Sequence, residues 1–186
     1  MRIIAGTARS HPLKTLPGLD TRPTQDKIKE TLFNILQNDV PGCVFLDLYA
    51  GSGAVGLEAV SRGAKSAVFV ENSRNAAACI QENIAFTKFA DSCEVKIMDA
   101  VSAIRRMEHR YFFDIVYLDP PYGKGLELEA LSKLKDSSII GPDTILIAET
   151  SLNTEIGAYE MDAFEIYRCK KYKTNQHVFM KQKTGL

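Results

Sequence analysis

From residue 43 onward, short β-branched and aliphatic runs alternate with longer stretches whose apolar residues recur at helical spacing. Residues 43–48, 66–70, 94–98, 112–118 and 144–149 read as strands, and 54–62, 73–86, 100–109 and 126–135 as helices. In the second of these helices Ala76, Ala77, Ile80 and Ile84 mark the buried face. Two more strands, near 163–172 and 176–182, are joined only by a short connection around Thr174-Asn175-Gln176, which suits a hairpin. Strand–helix–strand units of this length predict an α/β fold with a mostly parallel sheet, covered on both faces, and one antiparallel strand near the C-terminus. Ahead of this core, residues 2–5 and 13–16 read as a small β-hairpin, and 24–37 as a helix burying Ile28, Leu32, Ile35 and Leu36 behind Pro23. The expected organisation is an N-terminal extension over 1–23 and an α/β domain over 24–186.

Composition changes this picture little. The 186 residues are 45% hydrophobic and 25% charged, as in ordinary soluble domains. No apolar run reaches the roughly 18–20 residues of a membrane span, and Met1-Arg2-Ile3-Ile4-Ala5-Gly6 lacks the apolar region of a signal peptide. Cys43, Cys79, Cys93 and Cys169 are scattered, without a CxxC pair or a histidine cluster, so they are expected to be reduced thiols in a cytoplasmic protein with no metal site. His11 and His177 suggest no partner and are read as surface positions.

Charge adds more. The net charge is zero, yet residues 1–30 carry six Lys/Arg against three Asp/Glu and residues 164–186 six against one, leaving the middle acidic. Two basic ends predict a local surface for a polyanion.

The turn Asp47-Leu48-Tyr49-Ala50-Gly51-Ser52-Gly53-Ala54-Val55-Gly56 follows the first core strand and opens its helix. Glycines let a ligand approach the backbone, and the helix N-terminus offers free N–H groups. Gly51–Gly56 fits GxGxxG, and Glu71 ends the next strand, where an acid can bind ribose hydroxyls. A nicotinamide-dependent oxidoreductase is one reading. Asp47, however, opposes a pyrophosphate and suits a ligand bearing an ammonium group. Asp99, before Ala100 at the end of the third strand, can reach an adenine amine or cap a helix.

Asp119-Pro120-Pro121-Tyr122 follows the most hydrophobic strand. The prolines stop the sheet, stiffen the loop and leave carbonyls facing the crevice at the strand ends. A nucleobase amine is a poor nucleophile because its lone pair is delocalised. The Asp119 carboxylate and the Pro120 carbonyl can each accept one N–H, favouring a pyramidal nitrogen and stabilising the positive charge that grows on it. Tyr122 offers a face for stacking, worth about 1–3 kcal/mol per base. Such a base must leave its stack.

Four segments resemble the RsmD-type family of bacterial methyltransferases, which modify N2 of a guanine in 16S ribosomal RNA: Arg2–Gly6, Thr21-Arg22-Pro23-Thr24 with the run 29–34, the stretch 45–59, and Leu118–Tyr122. The last two are shared with enzymes that methylate adenine in DNA, the alternative substrate; the second points to this family in particular. The resemblance implies a Rossmann-like methyltransferase fold of seven strands and S-adenosyl-L-methionine as cofactor, held by Asp47, Tyr49, Gly51, Ser52, Gly53, Glu71, Asp99 and Ala100. It places Asp119, Pro120 and Tyr122 at the acceptor base, with Arg2, Arg9, Arg22, Thr24 and Pro121 toward RNA. It further implies a monomer acting on 16S RNA within the 30S subunit or an assembly intermediate. The chain departs from the family pattern at Ala5, at Ser10–Lys14 in place of a basic stretch, and at Lys171–Asn175, which lacks the usual glycine.

Overall fold

In the computed structural model, which describes residues 1–16, 23–159 and 163–183, helix α1 (Pro23–Ile35) precedes the alternating core. That core runs β1 (Val44–Asp47), α2 (Ala54–Ser61), β2 (Ser66–Glu71), α3 (Arg74–Thr87), β3 (Cys93–Ile97), α4 (Ala100–Met107), β4 (Ile115–Leu118), α5 (Leu126–Leu134) and β5 (Ile145–Ser151), closed by β6 (Phe164–Lys171) and β7 (Asn175–Gln182). The seven strands form one sheet in the order β3-β2-β1-β4-β5-β7-β6. All neighbours are parallel except that β7 runs against both β5 and β6. This is the α/β arrangement expected from the alternation of runs.

Alternation along each strand divides the core between two faces. Phe45, Tyr117, Ile147 and Phe179 pack with α1, α2 and α3 residues such as Phe33, Leu57 and Ile80. Leu46, Val116, Leu146 and Val178 pack on the other side with Ile104, Met107 and Leu131 of α4 and α5. Strand order reverses between β1 and β4, so the loops leaving their carboxyl ends diverge and open a crevice.

Two elements differ from the expected bounds. The fourth strand, read over 112–118, begins only at Ile115. Upstream, the Phe113 N–H donates to the Ile139 carbonyl at 2.8 Å, and the Asp114 carboxylate accepts the Val44 N–H at 2.7 Å. Phe113 is apolar because it is buried against a neighbouring loop, not because it pairs in the ladder, and Phe112 stands half-exposed. The N-terminal hairpin is reduced to one antiparallel bridge, Arg2 with Pro12, because the His11 N–H turns to the Ala8 carbonyl and does not continue the ladder. Its turn is secured instead by Ile3 N–H on the His11 carbonyl and Ser10 N–H on the Ile3 carbonyl.

A polar cluster ties this hairpin to the core. Glu58 of α2, fully buried, accepts the N–H groups of Ile4 (2.8 Å) and Ala5 (3.0 Å) and the Arg62 Nε–H (2.7 Å). The Lys29 ammonium lies 3.2 Å away. Burial pushes the Lys29 amine below its usual range, and the Glu58 charge opposes that shift.

Candidate active site

The glycine-rich turn leaves β1 beneath the crevice. Gly53 caps α2 with φ +78°, a left-handed conformation that suits glycine. Gly56 is fixed by space: a Cβ there would meet the Phe69 ring at 2.4 Å. Asp47, the last residue of β1, is 1% exposed and accepts the Gly56 N–H at 3.1 Å. It therefore braces the loop from below. Burial, with some help from the Glu71 charge and against the Gly56 hydrogen bond, pushes its carboxyl up to about 7. Among the described residues no basic side chain pairs with it.

Glu71, at the end of β2, accepts the Gly51 N–H at 2.9 Å and the Ser73 N–H at 2.8 Å. Each oxygen keeps a lone pair for a diol. Asp99 caps α4 through the Ser102 N–H at 2.8 Å; this and other hydrogen bonds at the helix start hold its carboxyl below the ordinary range. The cap reading and the ligand reading are compatible, since Asp99 also lines the cavity beside the helix. Ala100 follows, buried. A cavity of about 310 Å³ lies among Leu48, Tyr49, Glu71, Met98, Asp99 and Leu126, and the Tyr49 hydroxyl donates to the Leu126 carbonyl across it. A purine nucleoside has the size and the polar edges to fit there.

Gly51, Ser52, Gly53 and Asp119 do not line that cavity; they stand at the adjoining ends of β1 and β4, which are neighbours in the sheet. Asp119 is exposed just past the end of β4, and its carboxylate has no hydrogen-bond partner among the described residues. Protein crowds it from behind, and loss of water there, then the charges of Glu149 and Asp47, push it well above the ordinary carboxylate range. Pro120 is buried, Pro121 exposed, and Tyr122 is 47% exposed with its hydroxyl donating to Glu149 at 3.0 Å.

The residues expected near RNA are only partly brought to this rim. Arg2 and Arg9 are exposed on the N-terminal segment, Arg2 within 3.4 Å of Asp26. Arg22 lies outside the described residues, as does the Thr24 side chain. One expectation is corrected: His177, read as a surface residue, is fully buried and sits 3.0 Å from Glu149. Its neighbours Val178, Phe179 and Met180 are all core, so an inward position was foreseeable from strand context. Glu149 was also missed, as a polar residue ending an aliphatic strand.

The family model described as "Conserved hypothetical protein 95" matches residues 1–181. "Putative rRNA methyltransferase YlbH" of Bacillus subtilis is 35% identical over 158 residues, covering 84% of this chain and 85% of its own. "Ribosomal RNA small subunit methyltransferase D" of Haemophilus influenzae is 35% identical over 151 residues, covering 81% and 78%. The chain belongs to the RsmD-type family. A solved structure described as "Putative methyltransferase yhhF from Escherichia coli" superposes with a TM-score of 0.84 at 30% identity, covering 100% of this chain and 99% of that one. The fold is the Rossmann-like fold of these methyltransferases, and S-adenosyl-L-methionine is the expected cofactor. The donor set suits it: Glu71 and Asp99 line the cavity, one acid for a ribose and one for an amine.

Proposed function

We propose that this RsmD-type methyltransferase methylates the exocyclic N2 of a guanine in 16S ribosomal RNA, acting as a cytoplasmic monomer on the 30S subunit or an assembly intermediate. Support for the substrate comes from the name of the Haemophilus influenzae relative, which specifies the small ribosomal subunit. Exposed basic residues at both ends of the chain, Arg2 and Arg9 on one side and Arg168, Lys170 and Lys171 on β6 on the other, suit a phosphate backbone. No helix among the described residues is long and apolar enough to cross a membrane.

In this reading Glu71 binds the ribose of the cofactor, Asp99 its adenine amine, and the backbone of Gly51, Ser52 and Gly53 its amino-acid part. Tyr49 borders the nucleoside cavity, and the Asp47 charge favours the cationic end. When bound, S-adenosyl-L-methionine supplies an electrophilic methyl group. The protein's own task is to make the amine nucleophilic. Asp119 accepts one N–H and the Pro120 carbonyl the other, which localises the nitrogen lone pair; Asp119 then takes the proton released as the N–C bond forms. Holding nitrogen and methyl in line is worth roughly 7–11 kcal/mol. Tyr122 supports the flipped base, and Pro121, Arg22 and Thr24 flank its entry.

The observation that carries this reading is the Asp119 carboxylate, open and unpaired beside the β1 loop. Incubation with labelled cofactor and undermethylated 30S subunits tests it. Wild-type protein transfers label to the RNA and Asp119→Ala does not; transfer undiminished in that variant overturns the assignment.

A further inference from the structure

Glu149 lies on the face of β5 shared with Ile147, directly opposite His177 of β7 and one strand from Tyr117 of β4. Its Oε2 accepts the Tyr117 hydroxyl at 2.6 Å and faces His177 Nε2 at 3.0 Å. Its Oε1 accepts the Tyr122 hydroxyl at 3.0 Å and the Asn175 side-chain N–H. Four donors from two strands and a loop thus fill the lone pairs of one carboxylate. Behind it, His177 Nδ1 meets the Tyr172 hydroxyl at 3.1 Å.

Three of the four donors belong to well-buried residues, Tyr117, His177 and Asn175, and are fixed by the sheet. The fourth, Tyr122, is the half-exposed ring of the Asp-Pro-Pro-Tyr loop. Burial alone would raise the Glu149 carboxyl, but its hydrogen bond and charge interaction with His177, then the hydrogen bonds from Tyr117 and Asn175, outweigh it and hold the group below its usual range. It therefore stays an anion, which a hydroxyl acceptor requires. A ring needed only as apolar cover would have no use for a hydroxyl fastened to a buried anion. A ring that must present one face at a set angle does.

We propose that Glu149, steadied by His177, is a positioning residue that pins the Tyr122 hydroxyl and so sets the plane on which the acceptor base stacks. The proposal rests on the reading that the Asp119–Tyr122 loop receives that base. Freed from Glu149, the ring samples other rotamers and the base is bound less well, while methyl donation itself is barely touched.

Steady-state kinetics with 30S acceptor, Glu149→Gln, Tyr122→Phe and the double variant test this. Each single variant is expected to raise the acceptor KM about fivefold, the worth of one hydrogen bond, with a smaller change in kcat. Cofactor affinity, measured by calorimetry, stays at the wild-type value. The double variant is expected to be no worse than the worse single one, because both remove the same contact. His177→Gln, which keeps a donor toward Glu149, restores most of the KM lost in His177→Ala. An unchanged KM in Tyr122→Phe, or fully additive effects in the double variant, overturns the proposal, and the first of these is decisive even if Glu149→Gln fails to fold. Absence of any transfer by the wild-type protein instead overturns the underlying reading of the loop.

Discussion

The Asn83 side-chain amide donates to the Ser52 carbonyl at 2.9 Å, which fastens α3 to the glycine-rich loop. The same amide also holds the N-terminal segment, accepting the Lys14 N–H at 2.8 Å and donating to the Lys14 carbonyl at 3.0 Å. One buried side chain thus sets the glycine-rich loop against the arm that carries Arg2 and Arg9. Asn83→Ala leaves the Ser52 carbonyl and the Lys14 N–H without partners and the Lys14 carbonyl with only the Cys79 thiol, at about 1–3 kcal/mol for each group that stays buried and unpaired. It is expected to lower both the melting temperature and cofactor affinity, the latter about fivefold to tenfold in calorimetry.

Asp47 yields a pH prediction of definite sign. Its folded carboxyl titrates near 7 and its unfolded one near 3.8, so the folded state holds a proton that the unfolded state has lost. Stability of the ligand-free protein therefore falls as pH rises from about 4 to 7 and stays low above that. Asp47→Asn, which can still accept the Gly56 N–H, is expected to raise the melting temperature at pH 7.5 and to have less effect at pH 4.5. It also weakens binding of the cationic cofactor. Thermal melts at the two pH values check the first effect, and calorimetric titration checks the second.

Asp119 is expected to govern rate. Its carboxyl lies well above the ordinary range, through burial and the Glu149 and Asp47 charges, and only its ionised form can accept both an N–H and the released proton. Methyl transfer at saturating cofactor should then rise with pH through a transition above that of a free aspartate. Asp119→Asn is expected to lose about 10²–10³ of kcat, the usual cost of removing one transition-state contact, with cofactor affinity kept. A pH profile of single-turnover transfer reads both.

The buried Glu58 makes a stability prediction remote from the chemistry. Glu58→Gln leaves Lys29 without its counter-ion, 5% exposed, which is worth about 3–5 kcal/mol in buried pairs. The melting temperature is expected to fall on the order of 10 °C. Lys29→Met with Glu58→Gln, which removes both charges, should recover part of that loss.

Legibility of these features followed the distance between partners. The glycine-rich turn and Asp119–Tyr122 are continuous in the chain, so their residue types alone announce strand, turn and crevice. The alternation of runs likewise gave the sheet, and the short link at 174–176 gave the antiparallel strand. Contacts across long separations were silent: Glu149 and His177 lie 28 residues apart, Ile4 and Glu58 54, and Lys14 and Asn83 69. A buried polar residue looks like an exposed one until its partner is known. His177 illustrates this, since nothing near it in sequence names Glu149. At Phe113 the failure was different, because burial and strand pairing leave the same apolar signature.

The most direct test of the account is to map the methylated nucleotide. Undermethylated 30S subunits are incubated with the protein and S-adenosyl-L-methionine, and the 16S RNA is digested and analysed by mass spectrometry. One N2-methylguanine, present with wild-type protein and absent with Asp119→Asn, is the predicted result. Methylation of adenine in duplex DNA with none in the RNA would contradict it.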